Sequence, residues 1–168
     1  PFPTPHSPLP TPHSPLPTPP SPFPIPMRLA WFTPLSPVRS GLATYSGFLL
    51  PLLAARHAVE VFVDDEVWRA IAAEAGRRSD GFRSVRTPGG EVFSAHDFAP
   101  RQQATAFDLV VYHMGNAACH DYVWPYALRY PGLLVLHDAQ LHQARARALL
   151  REGRQADYRA ELRRGRHG

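Results

Sequence analysis

Short apolar runs alternate with stretches of helical periodicity along residues 27–168. The apolar runs predict β-strands at Leu29–Thr33, Val59–Val63, Phe107–Tyr112 and Leu133–Leu136, with one or two shorter strands between Phe82 and Phe93. Phe107–Tyr112 (FDLVVY) is apolar enough to be buried on both faces and Leu133–Leu136 is wholly apolar, so we expect both strands to be buried in a parallel sheet.

Apolar residues spaced three and four positions apart predict a helix after each main strand. The first of these helices follows Gly41 and contains Pro51, which should kink it because proline removes a backbone hydrogen bond. In the third, His120 and Leu128 share one predicted helical face, and two further helical stretches are split near Gly153. The order is β-α-β-α-(β)-β-α-β-α.

This order predicts a doubly wound, mainly parallel, Rossmann-like α/β sheet of four or five parallel strands. Parallel strands need crossover connections, and helices then cover both faces of the sheet. Ligands of such folds bind at the carboxyl ends of the strands. The loops at 34–41, 113–120 and 137–142 are therefore where we expect a site.

Residues 1–26 differ in composition from the rest of the chain. They hold 13 of the 20 prolines and no charged side chain, and they repeat with a period of seven, as in PTPHSPL. Such a segment should sample polyproline II without packing, so we expect a disordered proline-rich extension before a folded domain at 27–168. We further expect Met27 to be the natural start. Docking of PxxP-like spacing in an aromatic groove is the functional alternative.

Charge and cysteine content narrow the function classes. All 18 basic residues are arginine, and residues 144–168 carry eight arginines against three acids. These arginines are spread through a helical pattern, which favours a solvated helical face over a nucleic-acid arm.

The lone Cys119 cannot form an internal disulfide, which indicates a reducing, cytoplasmic location. No apolar run predicts a transmembrane segment, whereas peripheral membrane association stays open.

Ser40 and Gly41 occupy the first predicted strand-to-helix loop. Free N–H groups at the start of a helix favour a phosphate or a sugar hydroxyl, although Ser40 could simply cap the helix and Gly41 permit the turn. Gly41 is followed next by Gly47, so the G-x-G-x-x-G pattern of a dinucleotide site is missing. We therefore expect no NAD and no other cofactor, and interpret Asp64 as a helix cap.

The two later loops carry most of the remaining polar candidates. His113, Asn116 and His120 follow the Phe107–Tyr112 strand, but they lack the spacing of a metal site, so we expect no metal, Asn116 as a helix cap and His120 facing the core. His137 and Asp138 end the last strand, where they could bind a sugar hydroxyl. The alternatives are a histidine paired with backbone and an aspartate that caps the next helix.

Three blocks of this sequence resemble bacterial family 4 glycosyltransferases. They are RLAWFTPLSPVRSGLATYS (Arg28–Ser46), FDLVVYHMGNAACHDYVWPYALRYPGLLVLHDAQLH (Phe107–His142), and Gly153–Leu162 with its Tyr158. The similarity runs discontinuously over nearly all of Met27–Leu162, while residues 76–100 are not distinctive. That family has the GT-B fold, in which two Rossmann-like domains face each other across a cleft.

The resemblance implies that this chain is the N-terminal, largely acceptor-side domain of such an enzyme. Family members transfer a sugar from a nucleotide-sugar donor to a sugar, lipid or other acceptor, without an essential metal. Gly41 matches the first-loop glycine near the donor phosphates, His137 a histidine that contacts the donor sugar, and Asn116 the family's Gly-Asn pair.

The family's C-terminal domain, which makes most of the donor contacts, has no counterpart here, so we expect an incomplete glycosyltransferase that is inactive alone. A standalone sugar- or nucleotide-binding module, or a subunit completed by another chain, is the alternative. A proline-rich adaptor carrying an inert domain is the third hypothesis. The donor sugar, the acceptor and the stereochemical outcome stay undetermined by the sequence.

Overall fold

The structure of the protein, a computed structural model, describes residues 26–76 and 84–164. The expected disordered extension lies outside the described residues except for Pro26, and so does the start of the weak strand expected near Phe82.

The chain folds as an α/β domain around one six-stranded sheet, in agreement with the predicted class. The strands are β1 (Arg28–Phe32), β2 (Ala58–Val63), β3 (Val85–Thr87), β4 (Gly90–Ser94), β5 (Leu109–Met114) and β6 (Leu133–Leu136). The helices are α1 (Gly41–Ala54), α2 (Asp65–Glu74), α3 (Phe98–Ala104), α4 (Trp124–Ala127), α5 (His142–Arg151) and α6 (Gln155–Arg164), with 3₁₀ turns at Ala95–Asp97 and Ala118–Val123.

The strand order is β3-β4-β2-β1-β5-β6, and every neighbouring pair is parallel except β3 with β4. The mainly parallel sheet is thus confirmed, and the region of weak sequence signal contains an antiparallel hairpin. Its turn ends at Gly90, which has φ +114°, and a Cβ there would overlap the carbonyl oxygen of Val59. Only glycine fits this approach of hairpin to β2.

Each face of the sheet has its own core because successive strand residues point in opposite directions. On one face, Trp31, Val61 and Val111 pack with α1 and α2. On the other face, Phe32 and Phe62 stack at 5.2 Å within a cluster of aromatic rings that includes residues of α3 and α4. Helices therefore lie on both faces, which confirms the doubly wound arrangement.

Strand β6 corrects one expectation. Leu133–Leu136 was predicted to be buried, but Leu133, Leu134 and Leu136 are 51%, 46% and 50% exposed. Within the described part of the chain, β6 is an edge strand paired only with β5, and α5 packs against α6 and the 3₁₀ turn at Ala118–Val123. Apolar composition predicted the strand but not its place at the edge.

Leu128 gives a second correction. It was expected on the same buried helical face as His120, but it is 77% exposed. The segment begins as the 3₁₀ turn Ala118–Val123 and becomes α-helical only at Trp124. Three residues per turn instead of 3.6 shifts the face on which the later residues lie.

The three arginines of α5, and Arg154 just before α6, are paired with carboxylates. Arg145 makes a two-pronged contact with Glu161, Arg147 binds Asp121, and Arg154 lies near Asp157. This arrangement is the one expected of a solvated helical face. The two helices are split at Gly153, which has φ +70°. None of the described helices combines the length and apolar character needed to cross a membrane.

A buried carboxylate organises the amino-terminal edge of the sheet. Glu60 is 9% exposed and lies between two guanidinium groups, with Arg28 Nη2 at 2.8 Å and Arg101 Nε at 2.5 Å. Each arginine also covers an aromatic ring at 3.9 Å, Phe107 under Arg28 and Phe93 under Arg101. This cluster fixes the end of the sheet opposite the predicted ligand edge.

Candidate functional site at the carboxyl ends of β1, β5 and β6

Three adjacent parallel strands end at one edge of the sheet and bring the predicted loops together. Strand β1 leads through residues 34–40 into α1, β5 ends at His113 and Met114, and β6 is followed directly by His137. Tyr45, one turn into α1, has its ring centroid 6.1 Å from that of His137 and 6.2 Å from that of His113. The loop of Gly41 and the loop of His137 therefore face the same space.

Ser40 and Gly41 form the start of α1. Ser40 is its N-cap, in extended conformation at φ −143°, and its hydroxyl oxygen accepts a hydrogen bond from the Ala43 N–H at 3.0 Å. The hydroxyl also contacts the thiol of Cys119, whose pKa is raised mainly by burial. A Cβ on Gly41 would meet nothing within 4 Å, so the space above it is open. The capping interpretation of Ser40 is thus confirmed.

Open space continues along the loop. A depression of about 660 Å³ is lined by residues of the 36–44 segment, with Arg39 exposed beside it. The first N–H groups of a helix point outward along its axis, and here only Ala43 is satisfied by the cap. An anionic group placed in this depression would meet the positive end of α1.

His113 and His137 are paired at the tips of β5 and β6. The Nδ1 of His113 lies 2.7 Å from the Nε2 of His137, and the two rings stack at 5.0 Å. His113 is 1% exposed, whereas His137 is exposed. Burial first, and then the neighbouring His137 and His120, lower the pKa of His113 to about 4. His113 is therefore neutral at physiological pH and supports the ring of His137 from below.

The sequence did not single out this support. The sequence shows His113 only as one member of a histidine cluster. Its partner His137 is 24 positions away, and the two come together only because β5 pairs with β6. Alternation along β5 could have placed the His113 side chain on the face shared with Val111 and α1. Tyr45 belongs to the apolar pattern of the helix after Gly41 and is 49% exposed.

His120 faces the interior, as predicted. It is 4% exposed, and its Nδ1 lies 3.2 Å from the backbone oxygen of His113. A carbonyl oxygen can only accept, so Nδ1 carries the hydrogen and donates it. Burial lowers the pKa of His120. The neutral ring then has an unprotonated Nε2 that can accept a hydrogen bond.

Asn116 holds the second and third loops together. Its backbone N–H donates to Asp138 Oδ2 at 2.6 Å, its Nδ2 donates to the Gln140 carbonyl at 2.7 Å, and its Oδ1 accepts from the Ala144 N–H at 3.2 Å. The last of these bonds caps α5, so Asn116 is a helix cap for a helix far along the chain. Its expected contact with substrate stays a prediction.

Gly115 lies between Asp138 and His120. A Cβ on Gly115 would be 3.0 Å from Asp138 Oδ2 and 3.2 Å from His120 Nε2. The two side chains therefore pack closely against the Gly115 backbone, and even a methyl group there would press on both. Asp138 is half-buried and is oriented by the Asn116 N–H. Sequence reasoning predicted Asp138 but not its pairing with His120 across Gly115.

Among residues 26–76 and 84–164, no three His, Cys, Asp or Glu side chains are grouped so as to hold a metal ion. No protein-family model, curated protein or solved structure matches this chain. The similarity to glycosyltransferases therefore stays a prediction from sequence, and the geometry of the site is what bears on function.

Proposed function

We propose that this domain binds a nucleotide-sugar donor and forms the N-terminal wall of a GT-B-type glycosyltransferase cleft. The observation that carries the proposal is the meeting of the α1 N-terminus with the exposed ring of His137 at one sheet edge, bridged by Tyr45 at 6.1 Å. The donor's diphosphate and its sugar need different partners, and the two loops supply partners of these two kinds.

The diphosphate would lie against the start of α1. Backbone N–H groups at Gly41 and the positive end of the helix dipole favour phosphate oxygens, and the open space over Gly41 permits the close approach that they require. Arg39 is exposed beside the same depression and adds a positive charge. Ser40 keeps the helix start in place through its cap on Ala43.

The sugar would lie toward His137 and Asp138. His137 is exposed, and its Nε2 is bound to His113, which leaves Nδ1 directed away from the pair and able to hydrogen bond with a hydroxyl. Asp138 adds a carboxylate that accepts hydrogen bonds. His113 and Asn116 are positioning residues, because each holds one of these groups through a direct hydrogen bond.

Transfer to a sugar or lipid acceptor needs a closed cleft. Stabilising a leaving diphosphate depends on aligned charges in a space from which water is excluded. One wall leaves the donor in contact with water, so we expect binding by this 168-residue polypeptide without turnover. A second wall, from further residues or another chain, would complete the enzyme.

Saturation-transfer NMR with UDP-glucose and GDP-mannose tests the proposal. At millimolar ligand, the wild-type domain should give signals from the nucleotide and from the sugar ring of at least one donor. His137→Ala should weaken the sugar signals. His96→Ala is the matched control, because His96 is an exposed histidine just after β4, and three strands separate β4 from β6.

The absence of signal from every nucleotide and nucleotide sugar would overturn the proposal. If His96→Ala and His137→Ala weakened the sugar signals equally, the sugar would not bind at the carboxyl ends of β5 and β6. Release of free UDP or GDP at enzyme-like rates by the 168-residue chain would refute the need for a second wall.

A further inference from the structure

Helix α1 is apolar on the side that faces solvent as well as on the side that packs on the sheet. Leu50 is buried in the core, yet Tyr45, Phe48 and Leu52 are 49%, 76% and 70% exposed. No residue of Gly41–Ala54 is charged. A helix at the surface of a domain normally carries charged or polar side chains on its outer face. The composition of α1 is instead that of a helix covered on both sides.

The three exposed apolar residues form one continuous stripe. They are three and four positions apart, so they share one face of the helix along about 10 Å of its axis. Arg56 follows Leu52 by four positions, just beyond the end of α1, and so continues the stripe, while Arg39 precedes the helix. Both arginines are exposed, and neither forms an ion pair within residues 26–76 and 84–164.

The charges at the two ends indicate what kind of partner fits this stripe. Arg39 and Arg56 are the only charged residues from 34 to 59, so the surface is apolar along its length and positive at both ends. If two copies of the chain packed through α1, arginine would lie beside arginine whether the helices ran parallel or antiparallel. Like charges repel, so the stripe suits an apolar partner with negative charge at its border better than a second copy.

We propose that the stripe on α1 is a membrane-docking surface that lies in the interface of an anionic bilayer. An interfacial helix places its apolar side chains at the boundary between headgroups and acyl chains, and its arginines contact anionic headgroups. Phe48 and Leu52 are the most exposed of the apolar side chains and would enter this boundary. The opposite face of α1 packs on the sheet, so the helix lies along the bilayer without crossing it.

Membrane docking does not depend on the proposed binding of a nucleotide sugar. The stripe reaches the candidate site only through Tyr45, whose ring centroid is 6.1 Å from that of His137. Phe48 and Leu52 lie further along α1, and Arg56 lies beyond its other end. Substitutions at these three positions therefore leave the candidate site intact and test the docking surface alone.

Co-sedimentation of the full chain with lipid vesicles tests the proposal. The wild type should bind equimolar phosphatidylcholine–phosphatidylglycerol vesicles more tightly than pure phosphatidylcholine vesicles, and added sodium chloride should weaken the binding. The double variant Phe48→Ser/Leu52→Ser should weaken it by roughly tenfold or more, because two large apolar side chains no longer leave water. Arg56→Gln should weaken binding to the anionic vesicles by roughly fivefold and leave binding to the neutral ones unchanged.

Leu128 and Arg129 provide matched controls. Leu128 is 77% exposed and Arg129 is an exposed arginine beside it. Both follow α4, which packs on the opposite face of the sheet from α1. Leu128→Ser and Arg129→Gln should therefore bind vesicles like the wild type. Sedimentation without vesicles corrects for self-association of the protein, and unchanged thermal unfolding midpoints establish that the variants are folded.

Several outcomes would overturn the proposal. One is a wild type that does not sediment with the anionic vesicles, and another is equal binding to the neutral ones. An equal loss in Leu128→Ser, or full binding by Phe48→Ser/Leu52→Ser, would show that the stripe is not the docking surface. If light scattering found a dimer in dilute solution that the double variant converts to a monomer, the stripe would be a contact between copies instead.

Discussion

The imidazole rings of His113 and His137 share one hydrogen bond, with Nδ1 and Nε2 2.7 Å apart. One ring must donate and the other accept, so the contact requires at least one neutral ring. His113 is that ring, because burial and the two neighbouring histidines lower its pKa to about 4. The exposed His137 ring is therefore hydrogen-bonded to a buried partner that is neutral.

The low pKa of His113 predicts loss of stability in mild acid. Its pKa is about 4 in the folded chain against 6.5 ordinarily, so between these values the unfolded chain binds a proton that the native chain does not. Stabilisation is complete above about pH 6.5 and falls as the pH approaches 4, by on the order of 3 kcal/mol. Urea unfolding at several pH values measures it.

His113→Gln should flatten this profile between pH 6.5 and 4. Part of the slope should remain, because the pKa of His120 is also lowered by burial. His96→Gln, at an exposed histidine, should leave the profile as in the wild type. A wild-type free energy of unfolding that is constant across this range would contradict the assignment.

Glu60 on β2 and Glu91 on β4 are neighbours in the sheet, but we expect their removal to cost very different amounts of stability. Glu60→Ala leaves Arg28 and Arg101 without their shared partner in a half-buried site and should cost about 3 kcal/mol. Glu91→Ala removes only the exposed pair with Arg86 and should cost less than about 1 kcal/mol. Chemical denaturation of both variants gives the comparison, and equal costs would refute a special role for Glu60.

We expect Asn116 to tie the loop after β5 to the start of α5. Asn116→Ala removes the cap on Ala144 and the bond to Gln140, so it should destabilise the domain by about 2 kcal/mol. Asn116→Asp keeps an oxygen for the cap and should cost less. Hydrogen exchange should show faster exchange of the first turn of α5 in the alanine variant alone. Unchanged exchange there would contradict the capping role.

We expect replacement of glycine by alanine to have opposite effects on stability at Gly90 and at Gly47. Gly90→Ala places a Cβ against the Val59 carbonyl at φ +114° and should destabilise by about 2 kcal/mol or more. Gly47→Ala lies in an open position within α1 and should stabilise by about 0.5–1 kcal/mol, because alanine favours the helix. Thermal unfolding midpoints check both signs. A stable Gly90→Ala would show that the hairpin does not need this approach.

The sequence predicted most elements because each apolar pattern is a local property. The Asp64 cap is confirmed by its bond to the Glu66 N–H, and the edge shared by Gly41 and His137 follows from strands that run parallel. His113 and Gly115 could not be assigned roles, because their partners come from other segments. Strand β6 was expected to be buried, since composition does not say which strand lies at an edge.

The exposed leucines of β6 have a consequence for handling the protein. Leu133 lies on one face of the strand and Leu134 and Leu136 on the other, and this apolar ladder includes no charged residue or proline that would discourage contact between molecules. Concentrated solutions should therefore self-associate. Light scattering should report a particle size that grows with protein concentration, and Leu134→Lys should keep the particles monodisperse.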